Sequence, residues 1–134
     1  METKWLYGII GIVAIVAVGW VGYNFYLQSV YPTITSIKSK GVLVIGTSMD
    51  FPPFEYVNET GGAVGLDIDI ATEIAKELGV KLQVRDLGFD ALVPALKNKE
   101  IDLVLAGMSI TTERQQIVDF SKPYFNASQA VISL

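Results

Sequence analysis

The chain has 134 residues, 51% of them hydrophobic, and a formal net charge of −4. That length suits roughly one domain, and the acidic balance excludes the basic surface that nucleic-acid binding requires. With no histidine and no cysteine, disulfides, thiol or imidazole catalysis, lipid attachment through an N-terminal cysteine and the usual zinc or haem ligands are excluded, so no cofactor or metal site is expected.

No charged residue occurs from Trp5 to Ile37, and WLYGIIGIVAIVAVGWVGYNF (Trp5–Phe25) is nearly continuous hydrocarbon. As a helix it spans about 31 Å at roughly 1.5 Å per residue, the thickness of a bilayer core. Trp5 and Tyr7 at one end, and Trp20, Tyr23 and Tyr26 at the other, fall where aromatic belts form. Residues 1–30 are therefore expected to be a transmembrane signal-anchor. The alternative is a cleaved signal peptide, against which stand the long apolar core and the apolar sequence following its small-x-small candidate, Ala17-Val18-Gly19. Lys4 favours an inward N-terminus. Either way the remainder is exported: a single-pass anchor in the cell membrane with an extracytoplasmic C-terminal domain, or a secreted or periplasmic one after cleavage.

Residues 31–41 read as a linker and a short helix, Thr33–Lys40, closed by Gly41. VLVIGTS (Val42–Ser48) is a buried strand by its short apolar run, and DFPPFEYVNETGGAVG is a loop, with Pro52-Pro53 and Gly61-Gly62 as breakers. LDIDIATEIAKELG (Leu66–Gly79) has apolar residues at 66, 70, 74 and 78, an amphipathic helix whose acids Asp67, Asp69, Glu73 and Glu77 make a solvated face rather than a paired-carboxylate or calcium site. VKLQVRDL (Val80–Leu87) alternates like a strand. FDALVPALKNKE (Phe89–Glu100) is a helix with Asp90 near its start and lysines near its end, and Pro94 falls inside it unless it begins late. IDLVLAG (Ile101–Gly107) is another buried strand, a helix opens at Thr112, and SQAVISL (Ser128–Leu134) is a last strand. This alternation predicts an α/β fold of right-handed βαβ units around a parallel sheet covered on both faces, spanning 42–134.

In such sheets the ligand crevice lies beyond the carboxyl ends of the strands, where TSMDFPPF, LGFD and AGMSITTER converge. In SITTERQQIVDFS, Thr112 is the expected N-cap, with Gln115 three residues on in capping-box spacing. Arg114 then occupies the first turn, where the macrodipole disfavours a cation by roughly 0.3–1 kcal/mol. Its i±3 and i±4 neighbours, Thr111, Ile117, Ile110 and Val118, supply no carboxylate. A carboxylate or small-anion site accounts for the placement: the Ser109 hydroxyl, free helix-start amides and a planar guanidinium fork. The other reading is a surface arginine paired with Glu113 or Asp119, and spacing alone leaves both open. Phe51, Phe54, Tyr56 and Phe89 lie nearest the crevice, as walls of a small-molecule site or as plugs of the core, the latter fitting Phe54 best. Asp50 and Glu55 flank the proline loop and read as loop caps rather than ligand contacts, and the sequons at Asn58 and Asn126 matter only on a eukaryotic secretory route.

KGVLVIGTSMDFPPFEY, GLDIDIATEIAKELG and FDALVPALKNKEIDLVLAGMSITTERQQIVDFSKPYF resemble the extracytoplasmic solute-binding proteins of polar amino-acid ABC importers. The likeness runs from about Ile37 to the C-terminus, and its AG-M-S-I-T-T-E-R…V-D-F-S-K-P-Y segment is specific to that superfamily. The resemblance implies two α/β lobes of the type II periplasmic-binding-protein fold closing on the ligand, with delivery to permease subunits in the membrane. It implies that Arg114 pairs bidentately with the ligand's α-carboxylate, helped by the hydroxyl and amide of Ser109. Thr112 is placed at the same carboxylate site, the Gly107 carbonyl accepts from the α-ammonium, and Phe51 and Phe89 sandwich the side chain. Ser48 stands where several members have an aspartate, which leaves the side-chain preference open and weakens the case for a strongly cationic ligand.

By the same resemblance the chain holds most of a first lobe only, carrying the carboxylate half of the site, and is expected to bind amino acids weakly or not at all by itself. An extracellular sensing domain of a membrane receptor or kinase, and a non-functional truncated fragment, are the alternatives. An enzyme is not expected, because catalysis in this fold needs an acid or base positioned in the crevice.

Overall fold

The computed structural model describes residues 3–30 and 32–127. Helix α1 (Thr3–Val30) contains the apolar span Gly8–Leu27, long enough to cross a membrane and not buried by the other described residues. From Ile9 to Tyr26 its apolar side chains are exposed, far beyond the scattered exposed residues normal for a water-facing protein. Helix α2 (Pro32–Lys40) follows, with proline at its first position, where a missing N–H costs nothing, and lysines in its last turn. It ends at Gly41, in the left-handed region at φ +69°, whose N–H donates to the Ile37 carbonyl at 3.0 Å.

Strand β1 (Val42–Thr47) is the centre of the main sheet. The segment after it, expected to be a loop, instead forms a small antiparallel sheet of β2 (Asp50–Phe51), β3 (Glu55–Val57) and β4 (Ala63–Val64). Asn58 makes the turn that permits this: its Oδ1 accepts from the N–H groups of Thr60 at 3.0 Å and Gly62 at 2.8 Å. That bends the chain back so that Val57 opposes Ala63.

Helix α3 (Leu66–Leu78) closes at Gly79 as expected, but its buried face is rotated from the expected one. Ile68, Ala71 and Ala75 are buried while Leu66 is exposed, and Asp67, expected in solvent, is wholly buried. The cause lies at the helix start. Gly65, at φ +126°, passes so close to the Phe54 carbonyl that a Cβ there would clash with it. The Leu66 and Asp67 amides donate to the carbonyls of Pro53 (3.1 Å) and Phe54 (2.9 Å). Those backbone bonds, in place of a side-chain cap, set the rotation of the helix and turn its second residue inward.

Strand β5 (Lys81–Asp86) pairs parallel with β1, Val42 opposite Lys81. Helix α4 (Phe89–Lys97) starts at Phe89 and runs through Pro94, so it does not begin late; exposed Pro94 lacks only the amide that would have bonded Asp90. Strand β6 (Leu103–Val104) pairs parallel with the other side of β1, giving the order β5-β1-β6. It is shorter than the apolar run predicts, although Asp102 and Leu105 extend the contact by donating to Val44 (2.7 Å) and Gly46 (3.1 Å). The two faces of β1 are covered separately. Leu43 and Ile45 pack with Ile37, Ile68, Ala71, Ala75 and Leu105, and Gly46 faces Leu92 of α4 and Ile101. The parallel α/β architecture is thus as expected; the strand expected over Ser128–Leu134 lies outside the described residues.

Candidate functional site

Parallel pairing brings the carboxyl ends of β1, β5 and β6 to one pole. The Leu87 amide donates to the Thr47 carbonyl at 2.9 Å, and the Met49 amide to Asp86 Oδ1 at 3.2 Å, tying the first two loops together. Beyond β6 the chain turns at Gly107, in the left-handed region at φ +51°. A Cβ there would lie 3.0 Å from the Phe51 ring, so glycine is what lets the third loop meet the first.

The last helix, α5 (Thr112–Gln115), is a single turn, and its N-cap is Thr111 rather than Thr112. Thr111 is extended (φ −127°), and its hydroxyl accepts from the Arg114 amide at 3.2 Å. The expected capping box with Gln115 is therefore not formed, and exposed Thr112 is simply the first helical residue. One turn has little macrodipole, so Arg114 suffers less there than in a full helix.

The Arg114 guanidinium is held from two sides. Nη1 donates to the Ser109 carbonyl at 2.9 Å, and Cζ lies 5.3 Å from the centroid of the Phe89 ring at the start of α4. Among the described residues no carboxylate lies within 4.0 Å of it, so neither Glu113 nor Asp119 pairs with it. Most of its five N–H donors remain available.

A cavity of about 480 Å³ opens beside this group, lined among others by Phe51, Phe54, Gly107, Ser109, Tyr124 and Phe125. Phe54 stacks on Phe51 with centroids 5.3 Å apart and meets Phe125 edge-on at 5.0 Å. Of the residues expected at the site, Phe51, Gly107 and Ser109 line the cavity. Arg114 and Phe89 touch each other but do not line it, Arg114 being joined to the lining by its bond to the Ser109 carbonyl; Ser48 is buried at the end of β1, and Thr112 is exposed outside the lining. Phe54, expected to plug the core, is a wall of the cavity, and Tyr124 and Phe125 join it from the end of the V-D-F-S-K-P-Y segment, which has no site role by sequence alone.

Two acids depart from expectation. Glu55, expected as a loop cap, and Asp67 are both 0% exposed. Asp67 Oδ2 accepts from the Gly107 amide at 2.9 Å and the Tyr124 hydroxyl at 3.0 Å. Burial, and then the neighbouring Asp67, push Glu55 up to about 8. Burial and the bond to Asp67 raise the Tyr124 phenol far above its usual range. The only sequence signal was an acid in a helix first turn, which reads equally as a dipole partner in solvent.

Residues 43–134 match the model of a family described as bacterial extracellular solute-binding proteins, family 3. Over 98 residues the chain is 44% identical to the arginine-binding extracellular protein ArtP of Bacillus subtilis, covering 73% of this chain and 38% of ArtP. It spans well under half the length of that relative. Among solved structures it is 54% identical to the arginine-bound form of domain 1 of TmArgBP, the ArgBP of T. maritima, with a TM-score of 0.66. That match covers 67% of this chain and 71% of the domain. It is also similar to an ancestral amino-acid-binding protein described as a precursor of cyclohexadienyl dehydratase, at 43% identity and a TM-score of 0.66, over 69% of this chain and 41% of that one.

Proposed function

Because the chain belongs to the bacterial extracellular solute-binding proteins, family 3, we propose that it holds a free polar amino acid, arginine foremost, at the strand-end crevice and passes it to the permease subunits of an ABC importer. The observation that carries this reading is Arg114, clamped by the Ser109 carbonyl and the Phe89 ring and facing no acid within 4.0 Å among the described residues. A guanidinium so oriented, with donors to spare, suits a bidentate α-carboxylate. The Ser109 hydroxyl completes the carboxylate contacts, the Gly107 carbonyl takes the α-ammonium, and Phe51 and Phe89, both partly exposed, flank the side chain. Ser48 takes no charged part.

Arginine is put first because ArtP and TmArgBP carry arginine in their names, and because exposed Asp50 and Asp90 adjoin the two aromatic walls. Domain 1 of TmArgBP has been solved by itself in an arginine-bound form, which favours measurable binding by a first lobe over the expectation of weak binding or none. The span Gly8–Leu27 would tether the lobe to the outer face of the membrane. Turnover is no part of this reading: Glu55, the acid with the altered titration, is sealed from the cavity.

The test is a thermal shift of the full chain in detergent micelles with arginine, lysine, histidine, glutamine and leucine. A ligand at about 100 times its Kd adds roughly 2.7 kcal/mol, so the expected outcome is a rise of several degrees with arginine, lost in Arg114→Ala. No rise with any polar amino acid would overturn the proposal.

A further inference from the structure

Behind the aromatic wall of the crevice lie Glu55 and Asp67, which no proposed ligand contact uses. They meet because the Phe54 carbonyl takes the Asp67 amide at 2.9 Å, seating the start of α3 against the residue before Glu55. Asp67 Oδ2 is fully engaged by Gly107 and Tyr124. Among the described residues, no amide, hydroxyl or cation donates to Asp67 Oδ1 or to either Glu55 oxygen, all three of which are buried. Three orphaned carboxylate oxygens in a closed site are too costly to persist if both groups are charged. One proton resolves most of this: Glu55 as the neutral acid donates to Asp67 Oδ1. Among the described residues no cation relieves the site, since the charged or titratable groups facing Glu55 are Asp67 from α3, Asp50 from β2 and Tyr124 from the segment after α5. β4 brings only Ala63 and Val64, and buried Thr47 and Ser48 at the end of β1 are neutral.

We propose that Glu55 and Asp67 share one proton and together position the crevice: with the proton in place Asp67 holds Gly107 and Tyr124, and its loss sets two carboxylates against each other and loosens both. Gly107 and Tyr124 line the cavity, so the proton is linked to ligand affinity. Burial and Asp67 hold Glu55 up at about 8, which puts the loss in mildly alkaline solution. Between about 4.5, its ordinary value, and about 8 the folded chain binds a proton that the unfolded chain has released. Stability from this pair is therefore complete below the lower value and is lost as pH rises through the upper one. The affinity link rests on the amino-acid reading above; the proton-sharing pair does not.

The experiment is a carbon-13 carboxyl titration of the full chain in micelles, following the Gly107 amide nitrogen in the same spectra. Glu55 is expected to titrate near 8 with the Gly107 shift moving at the same midpoint. In Glu55→Gln, whose amide still donates to Asp67, the Gly107 transition disappears. Arginine affinity is expected to fall by about fivefold or more between about pH 7 and about pH 9 in the native chain, beyond any fall in Glu55→Gln, which carries the same titration of the ligand's own ammonium. A Glu55 midpoint below about 6, or a Gly107 transition that persists in Glu55→Gln, overturns the proposal. Should Glu55→Gln fail to fold, the native midpoints of Glu55 and Gly107 decide alone. Absence of arginine binding with both titrations as expected would remove the ligand reading and leave the pair standing.

Discussion

Arg114 and Gly107 define the site at the scale of single residues. Arg114 leans on a carbonyl and a ring rather than an acid, so truncating it removes no ion pair from the fold. Arg114→Ala is expected to change stability within about 0.5 kcal/mol. Leaving a ligand carboxylate unpaired costs about 2–5 kcal/mol, more than tenfold in Kd, read by calorimetry with arginine. Gly107→Ala places a Cβ against the Phe51 ring in a left-handed backbone, and is expected to lower stability by about 1–2 kcal/mol in denaturant titration. The sequence raised the question of Arg114 without answering it: its i±3 and i±4 neighbours are uncharged, yet Glu113 and Asp119 stayed open as partners until the structure placed neither within 4.0 Å. The burial of Asp67 was not legible in it. It depends on the Phe54 carbonyl meeting an amide 13 residues away in sequence, a contact that no local pattern encodes.

At the scale of elements, periodicity found what local chemistry dictates and missed what pairing decides. The apolar run of β1, the Gly79 stop of α3 and the alternation of β5 all read directly from residues. The β2-β3-β4 sheet did not, since its strands are two or three residues long and exist through the Asn58 turn. The cap of α5 slipped by one residue because Thr111 and Thr112 are equivalent cap candidates, and only backbone geometry separates them. Helix α4 holds its face of the sheet through Leu92, which is fully buried against the Gly46 side of β1. Leu92→Ala is expected to cost about 2–5 kcal/mol, seen as a lower denaturation midpoint at unchanged slope. A loss below about 1 kcal/mol would mean that α4 is only loosely docked.

For the whole molecule, one apolar helix and one parallel α/β lobe meet through α2, whose Lys40 bonds Asp102 at 2.9 Å beside the strand starts. The crevice lies at the opposite, carboxyl end of those strands, so an anchored lobe presents its site away from the anchor. The full chain is expected to stay in the membrane pellet through alkaline carbonate washing; release into the supernatant would show that Gly8–Leu27 does not anchor it. That apolar span was plain from composition, as was the lobe from alternating patterns.

Whether Arg114 receives an amino acid through its α-carboxylate is tested most directly by calorimetry of the full chain in micelles with arginine and with agmatine, which has the same guanidinium but no carboxylate. Arginine is expected to bind, agmatine at least tenfold more weakly, and Arg114→Ala to show no such preference. Equal affinity for the two ligands, or a preference for arginine that survives Arg114→Ala, would contradict that role for Arg114.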